Sequence, residues 1–277
     1  MGGPASAGNR LLTALPPADL ALLAPHLQKV SLEQDAVVIR AGDRREHVCF
    51  PHSGAISFIL GLPNGQTIAT AVIGREGAIG ALSVLGPSFL SSVTAVVRVG
   101  GTASQISVSR FHAAYMESRA IRHVVEAHTR SILMQFQHVS ACNGLHSVEA
   151  RMARWLLHLH DRTEGNNILS LTQETLSQLL GVRRTTVTLV IAKLRALGAI
   201  RSARRGLVEI DRARLEEATC ECYDIICCAT DRIVPHEAMG SHPHFASADK
   251  LHGPPPADSH DGAQEIAMFS RKRRRPS

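Results

Sequence analysis

Residues 118–142, SRAIRHVVEAHTRSILMQFQHVSAC, hold no Pro or Gly. Within them Ile121, Val125, Ile132 and Val139 recur four or seven positions apart, with Leu133 and Phe136 beside them. Such a run predicts one long helix with a coiled-coil-like apolar seam. It partitions the chain, because the hydrophobic period differs before it and after it. The seam can be buried against its own domain or meet a second copy of the chain. The expected use is a dimer contact through Ile121, Val125, Ile132 and Val139, with His128 on the same stripe as a satisfied interface residue rather than a ligand.

Between residues 36 and 108, short runs rich in Val, Ile and Ala are punctuated by Gly, and Asn64-Gly65 reads as a hairpin turn between AISFILGLP and QTIATAVIG. Short strands at this spacing predict a small barrel or sandwich. A short helix over residues 17–27, with Leu20, Leu23 and Leu27 on one side, caps it. After the long helix, HSVEARMARWLLHLHDRTEG predicts a second amphipathic helix with Val148, Met152, Trp155, Leu156 and Leu159 together, stopped by Gly165-Asn166-Asn167. Residues 1–9 are expected to be a flexible N-terminus. Residues 229–277, rich in His, Pro, Gly and Ser, are expected to be a disordered tail with a basic end.

At 277 residues the chain suits two domains of ordinary size, and 44% hydrophobic with 4% aromatic residues is a globular composition. No apolar run is long enough for a membrane span, and the start MGGPASAGNR lacks the apolar stretch of a secretory signal. The six Cys do not form a disulfide framework, so a cytoplasmic, reducing setting is expected. The net charge of +6 says less than its distribution, because Arg271, Lys272, Arg273, Arg274 and Arg275 supply five of those charges. Residues 175–208 carry seven Arg or Lys and no Asp or Glu.

That acid-free stretch overlaps LTQETLSQLLGVRRTTVTLVIAKL, residues 171–194. A helix-turn-helix needs two short helices that cross steeply, a break between them and apolar residues on the facing sides only. Thr172 can cap the first helix, Leu176 and Leu180 face inward, Ser177 is small enough for the crossing, and Gly181 stands where the chain reverses. Val182, Val187, Val190 and Leu194 supply the inward side of the second helix. Arg183, Arg184, Thr185 and Thr188, with Thr186 at the edge, are left outward at its N-terminal end, where Arg can pair with guanine and Thr can bond a base or touch a thymine methyl. The following AIRSARRGLVEI makes two short strands around Arg204, Arg205 and Gly206. It reads as a wing whose basic tip rests on phosphate, with Lys193 and Arg201 placed to do likewise.

LTQETLSQLLGVRRTTVTLVIAKLRALGAI followed by RRGLVEI resembles the winged helix-turn-helix of the Crp/Fnr family of bacterial transcription regulators. LLTALPPADLALLAPHL, the β-rich section with IGREGAIGAL, and the long helix come in that family's order, so the resemblance covers residues 10–226. It implies an α+β chain with an N-terminal β-roll of double-stranded β-helix or jelly-roll type at 10–117, a dimerisation helix at 118–143 and a DNA-binding domain at 144–228. The partners it implies are double-stranded DNA, a second copy of the chain on a two-fold operator, and RNA polymerase. Two residues depart from the pattern: Arg183 stands where the family often has a capping Ser, and Thr185 where many members carry Glu.

Nucleotide-binding members of that family use a Gly-Glu pair and a later Arg for the cyclic phosphate and ribose. Here Ala81 takes the place of the Glu, and Ser91-Ser92-Val93-Thr94 contains no Arg, which disfavours cyclic AMP. Gly77, Gly80, Ser91 and Ser92 remain as candidate effector contacts, the alternative being a tight structural turn in which Arg75 and Glu76 pair or face solvent. An iron-sulfur cluster is also disfavoured, because no Cys precedes Cys49. Cys220, Cys222, Cys227 and Cys228 follow Asp211 in what reads as one helix, where Cys220 and Cys222 would point nearly opposite ways. No metal site is expected, and the cofactor is left unknown.

The sequence therefore predicts a sequence-specific transcription regulator and not an enzyme, since no zinc-protease motif, P-loop or GxSxG elbow is present. The alternative is a signalling adapter whose winged helix binds protein.

Overall fold

The computed structural model describes residues 8–86, 90–163 and 165–233. Of the N-terminus expected to be flexible over residues 1–9, residues 1–7 lie outside the described residues, as does the tail from 234, basic run included, while Asn9 is buried and bonded instead.

Asn9 starts the fold. Its buried side chain accepts the N–H groups of Leu11 and Leu12 and donates to the carbonyls of Pro51 and Gly77 at 2.8 and 2.9 Å. It thereby pins helix α1 (Arg10–Thr13) to the sheet beyond, and α2 (Pro17–Leu23) follows with Pro at its first turn. Seven strands come next: β1 (Gln28–Leu32), β2 (Val37–Ile39), β3 (His47–Pro51), β4 (Ala55–Gly61), β5 (Thr67–Ile73), β6 (Thr94–Val99) and β7 (Gly101–Ser107). They pair antiparallel in two sheets, β1-β7-β3 and β2-β6-β4-β5. The β4–β5 hairpin turns through Gly65 at φ +82°, as the Asn-Gly pair predicted.

The chain passes between the sheets after β3 and again after β6, and the two passages touch backbone to backbone. A Cβ at Gly54 would lie 2.5 Å from the Val99 carbonyl oxygen, and one at Gly101 would strike the backbone of Ser53. Ile56, Phe58, Ala71, Ile73, Ala95 and Val97 fill the space between the sheets.

A helix not anticipated from the sequence, α3 (Val108–Glu117), precedes α4 (Arg119–Leu145), and Ser118 between them caps the second by accepting the N–H of Ile121 at 3.0 Å. The long helix is present, but its seam is used differently from the expectation. Ile121 and Val125 pack into the cluster of Leu11, Leu12, Phe50 and Phe111, and Ile132 packs between the sheets. These three and Val139 are at most 3% exposed within the single chain, so none of the four is left open to a partner.

Helix α5 (Val148–His160) is buried all round from Arg151 to His160, because it runs through the middle of the C-terminal half instead of lying on its surface. Around it are β8 (Ile168–Ser170), α6 (Gln173–Leu180), α7 (Arg184–Ala196), β9 (Ile200–Arg204), β10 (Leu207–Ile210), α8 (Arg212–Ala218) and α9 (Cys222–Ile233), with the strands in the order β8-β10-β9. Trp155, Leu176, Val187, Leu194 and Val208 share a core with Ala55, Ile59, Ala69 and Val72 of the roll.

The single helix expected after Asp211 is two helices. Thr219 is extended at ψ 168°, so Leu215 stays under α5 while the chain turns and α9 starts afresh at Cys222. No Gly or Pro marks this break; tertiary packing overrides helical propensity here. Helix α9 also continues through residues 229–233, which the sequence assigned to the tail.

Candidate nucleic-acid interface

Helices α6 and α7 meet through a tight turn. Thr172 Oγ1 accepts the N–H of Thr175 at 3.0 Å, Leu176, Leu179 and Leu180 point into the core, and Gly181 sits in the left-handed region at φ +66°, its N–H bonded to Ser177 O. Ser177 Oγ closes the turn by donating to the Val182 carbonyl at 2.5 Å. Arg183 occupies the N-cap position of α7 without any side-chain capping bond, so the first-turn amides of α7 keep their outward donors.

Arg183, Arg184, Thr185 and Thr188 are exposed on one end of α7 and Thr186 is half-buried at the edge, while Val187, Val190 and Leu194 are buried. Beside them Arg204 and Arg205 stand exposed at the tip of the β9–β10 hairpin, where Arg205 (φ +52°) and Gly206 (φ +77°) make a two-residue turn with both φ positive. Lys193 and Arg201 are also exposed but already paired, Lys193 with Glu149 on α5 and Arg201 with Asp211 at 2.7 Å. The hydrogen bond from Lys193 holds the Glu149 carboxyl below its usual range, and Arg201 does the same to Asp211.

The Gly-rich turn in the roll is built differently. Glu76 is buried and bonded to Arg162, which lies just beyond α5. Burial pushes the Glu76 carboxyl up, but the Arg162 guanidinium and the N–H of Gly74 together hold it below its ordinary value. Glu76 therefore does not face solvent, and its ion-pair partner is Arg162. His128 of α4 backs the turn, its Nε2 2.8 Å from Ala78 O, and burial pushes its pKa down to about 4. The N–H groups of Gly77 and Ile79 go to Gly74 O and Cys49 O, and the N–H of Ala78 points at His128.

Three of the four candidate effector residues are already engaged within the roll, and the fourth is exposed. A Cβ at Gly77 would meet His128, Gly80 backs onto the His47 carbonyl, the Ser91 hydroxyl donates to Val93 O, and Ser92 faces outward. None of them lines the roll's open cavity of about 670 Å³, which is walled by residues of β1, β2 and β3 with Arg44, Arg45 and Glu46 at its edge.

Residues 150–218 match the Crp-like helix-turn-helix domain, and residues 29–118 match the cyclic nucleotide-binding domain. The chain belongs to the Crp/Fnr family of transcription regulators. Solved Crp/Fnr structures share its fold at low identity. A Crp/Fnr-family structure from Eubacterium rectale superposes with a TM-score of 0.62 at 18% identity, covering 75% of this chain and 96% of that one. The c-di-GMP-responsive global regulator CLP of Xanthomonas campestris gives 0.58 at 18%, covering 70% and 99%. FixK2 of Bradyrhizobium japonicum gives 0.58 at 17%, covering 70% and 98%. Among curated proteins none matches the chain.

As a Crp/Fnr protein the chain is a DNA-binding transcription regulator. Sequence reasoning missed two residues beside this exposed cluster. Leu189, 65% exposed, follows Thr188 on the outer face of α7; a leucine at a non-core position of the candidate recognition helix was the available signal. Glu174 on α6 accepts from Arg184 Nε at 2.5 Å across the turn, a contact between different helices that no local spacing reveals. Among the described residues no helix is long and apolar enough to cross a membrane.

Proposed function

We propose that this Crp/Fnr regulator is a cytoplasmic, non-enzymatic homodimer that reads a two-fold operator by placing the N-terminal end of α7 in the major groove. The observation that carries this reading is the cluster of Arg183, Arg184, Thr185 and Thr188, exposed on the first turns of α7 within an acid-free stretch and flanked by Arg204 and Arg205 on the wing. Arg183 and Arg184 suit guanine edges, Thr185, Thr188 and Leu189 suit adenine or thymine edges and methyls, and the uncapped amides of α7 suit a phosphate. Arg204 and Arg205 sit on the backbone, while Lys193 and Arg201 contribute by exchanging their carboxylate partners for phosphate.

With the apolar seam turned inward, the dimer contact falls on the outer stripe of α4. Arg119, His123, Glu126, Arg130, Leu133 and Gln137 are exposed there at alternating spacings of four and three, with Leu133 54% exposed. The closed Gly-rich turn supports a roll that does not take cyclic AMP, since the amides of Gly77 and Ile79 are already bonded internally. The cavity beside β1–β3 has the size of a small-ligand site and is the proposed entry for an effector.

Selection of bound duplexes from a random pool tests the reading, run beside Arg184→Ala and at several salt concentrations. Enrichment of a two-fold symmetric site by the parent and its loss in the variant is the expected result. Absence of any salt-dependent DNA affinity would sink it in favour of a protein-binding adapter.

A further inference from the structure

The break between α8 and α9 gathers four side chains that the sequence keeps apart. Cys142 lies on the last turn of α4 and His146 is the residue that caps its C-terminal end, while Cys220 and Cys222 stand at the start of α9. Cys142 Sγ is 3.5 Å from Cys220 Sγ, Cys222 Sγ is 3.6 Å from His146 Nδ1, and all the ligand atoms fall within 4.8 Å of one another. We propose that Cys142, His146, Cys220 and Cys222 form a structural site for one thiophilic divalent cation, zinc by preference, that ties the end of the long helix to the last helix of the DNA-binding domain.

The distances suit a single ion. With Zn–S near 2.3 Å and Zn–N near 2.0–2.1 Å, a tetrahedron has S···S edges of about 3.8 Å and S···N edges of about 3.6 Å. A multi-iron cluster would need its thiolates spread wider, because each binds a different metal. The surroundings also favour an ion. His146 points Nδ1 at the sulfurs and its other nitrogen, Nε2, at Glu221 Oε1 at 3.2 Å, the carboxylate-to-histidine support that fixes the tautomer of a ligating imidazole. Three thiolates and a neutral imidazole on a divalent ion leave one negative charge. Beside Cys142 lies Arg154, fully buried, with Nε and Nη2 lacking hydrogen-bond partners among the described residues. Four protein ligands and near-complete burial of the three Cys make a closed site of the structural kind. Binding replaces the thiol protons by the metal and releases them to solvent, with no change of oxidation state.

The test uses the full chain, reduced and stripped with a chelator, then titrated with Co²⁺ and with Zn²⁺. The expected result is saturation at one equivalent per chain, intense visible bands of tetrahedral cobalt, thiolate-to-cobalt charge transfer in the near ultraviolet, and bleaching on addition of Zn²⁺. Cys220→Ser and Cys222→Ser lose the charge-transfer intensity, while Cys49→Ser, in the core of the roll, keeps it. The parent titration decides the matter even if a variant fails to fold. A reduced parent that shows no saturable tetrahedral spectrum overturns the site, as does an undiminished spectrum in folded Cys220→Ser. No DNA is present, so this outcome is independent of the operator reading.

Discussion

The Gly-rich turn of the roll and the first turns of α7 both present amides and charged side chains, yet they are opposite kinds of surface. In the turn, Glu76 meets Arg162, His128 meets Ala78, and the amides of Gly77 and Ile79 have internal acceptors. On α7 the cap is missing, Arg183 has no capping bond, and Thr185 and Thr188 face outward. The difference assigns roles: a site whose polar groups already satisfy one another holds the structure together, and one that leaves them outward awaits a partner. The turn moreover joins elements from both halves, because Arg162 follows α5 and His128 belongs to α4.

The largest effect is expected from removing the turn's ion pair. Arg162→Ala leaves the Glu76 carboxylate buried without its partner, and losing one member of a buried pair costs about 3–5 kcal/mol. Chemical denaturation should show that loss, and Arg162→Ala/Glu76→Gln should recover part of it. An unchanged midpoint in Arg162→Ala would mean that the turn is not structural. On α7 the expected effect is on DNA and not on folding. Arg183→Ala and Arg184→Ala should each weaken the selected operator by about 1–3 kcal/mol, the usual worth of a bidentate base contact, with thermal midpoints unmoved. Equal losses on random duplex would turn them into phosphate contacts.

How much of this was legible follows from the same contrast. The α6–turn–α7 unit was readable because Thr172, Gly181 and the spacing of Val187, Val190 and Leu194 are local signals that agree with one another. The seam of α4 was readable as a seam but not by partner, since Ile121, Val125, Ile132 and Val139 look the same whether a roll or a second helix covers them. The Glu76–Arg162 pair spans 86 positions and the Cys142–Cys220 contact spans 78. No periodicity encodes contacts that distant. The break at Thr219 was hidden because no Gly or Pro announces it.

His128 makes the stability of the turn depend on pH. Its ordinary value of 6.5 falls to about 4 on burial, so the unfolded chain binds more protons across that window. The contribution is complete above the unfolded value and is lost as pH falls through about 4, with a slope approaching about 1.4 kcal/mol per pH unit. Glu76, also lowered, adds a loss of the same sign nearer its own carboxylate range. Denaturation midpoints between about pH 7 and pH 5 should fall in the parent and flatten in His128→Gln. A parallel decline in both would assign the effect to other groups.

The smallest effect tests whether α7 is as open as its exposure implies. Arg184 is held by Glu174, but the two side chains are 66% and 47% exposed, so the pair adds at most about 1 kcal/mol in water. On DNA that contact has to be exchanged for a base or phosphate. Glu174 also sets a negative charge just before the acid-free stretch of residues 175–208. Glu174→Gln removes both effects while keeping a side chain of the same length at the start of α6. Operator affinity should rise by no more than about fivefold, most at low salt, where charge is least screened. Lower affinity in the variant would mean that Glu174 positions Arg184 for its base, and the outward end of α7 would then share the internal organisation of the roll's turn.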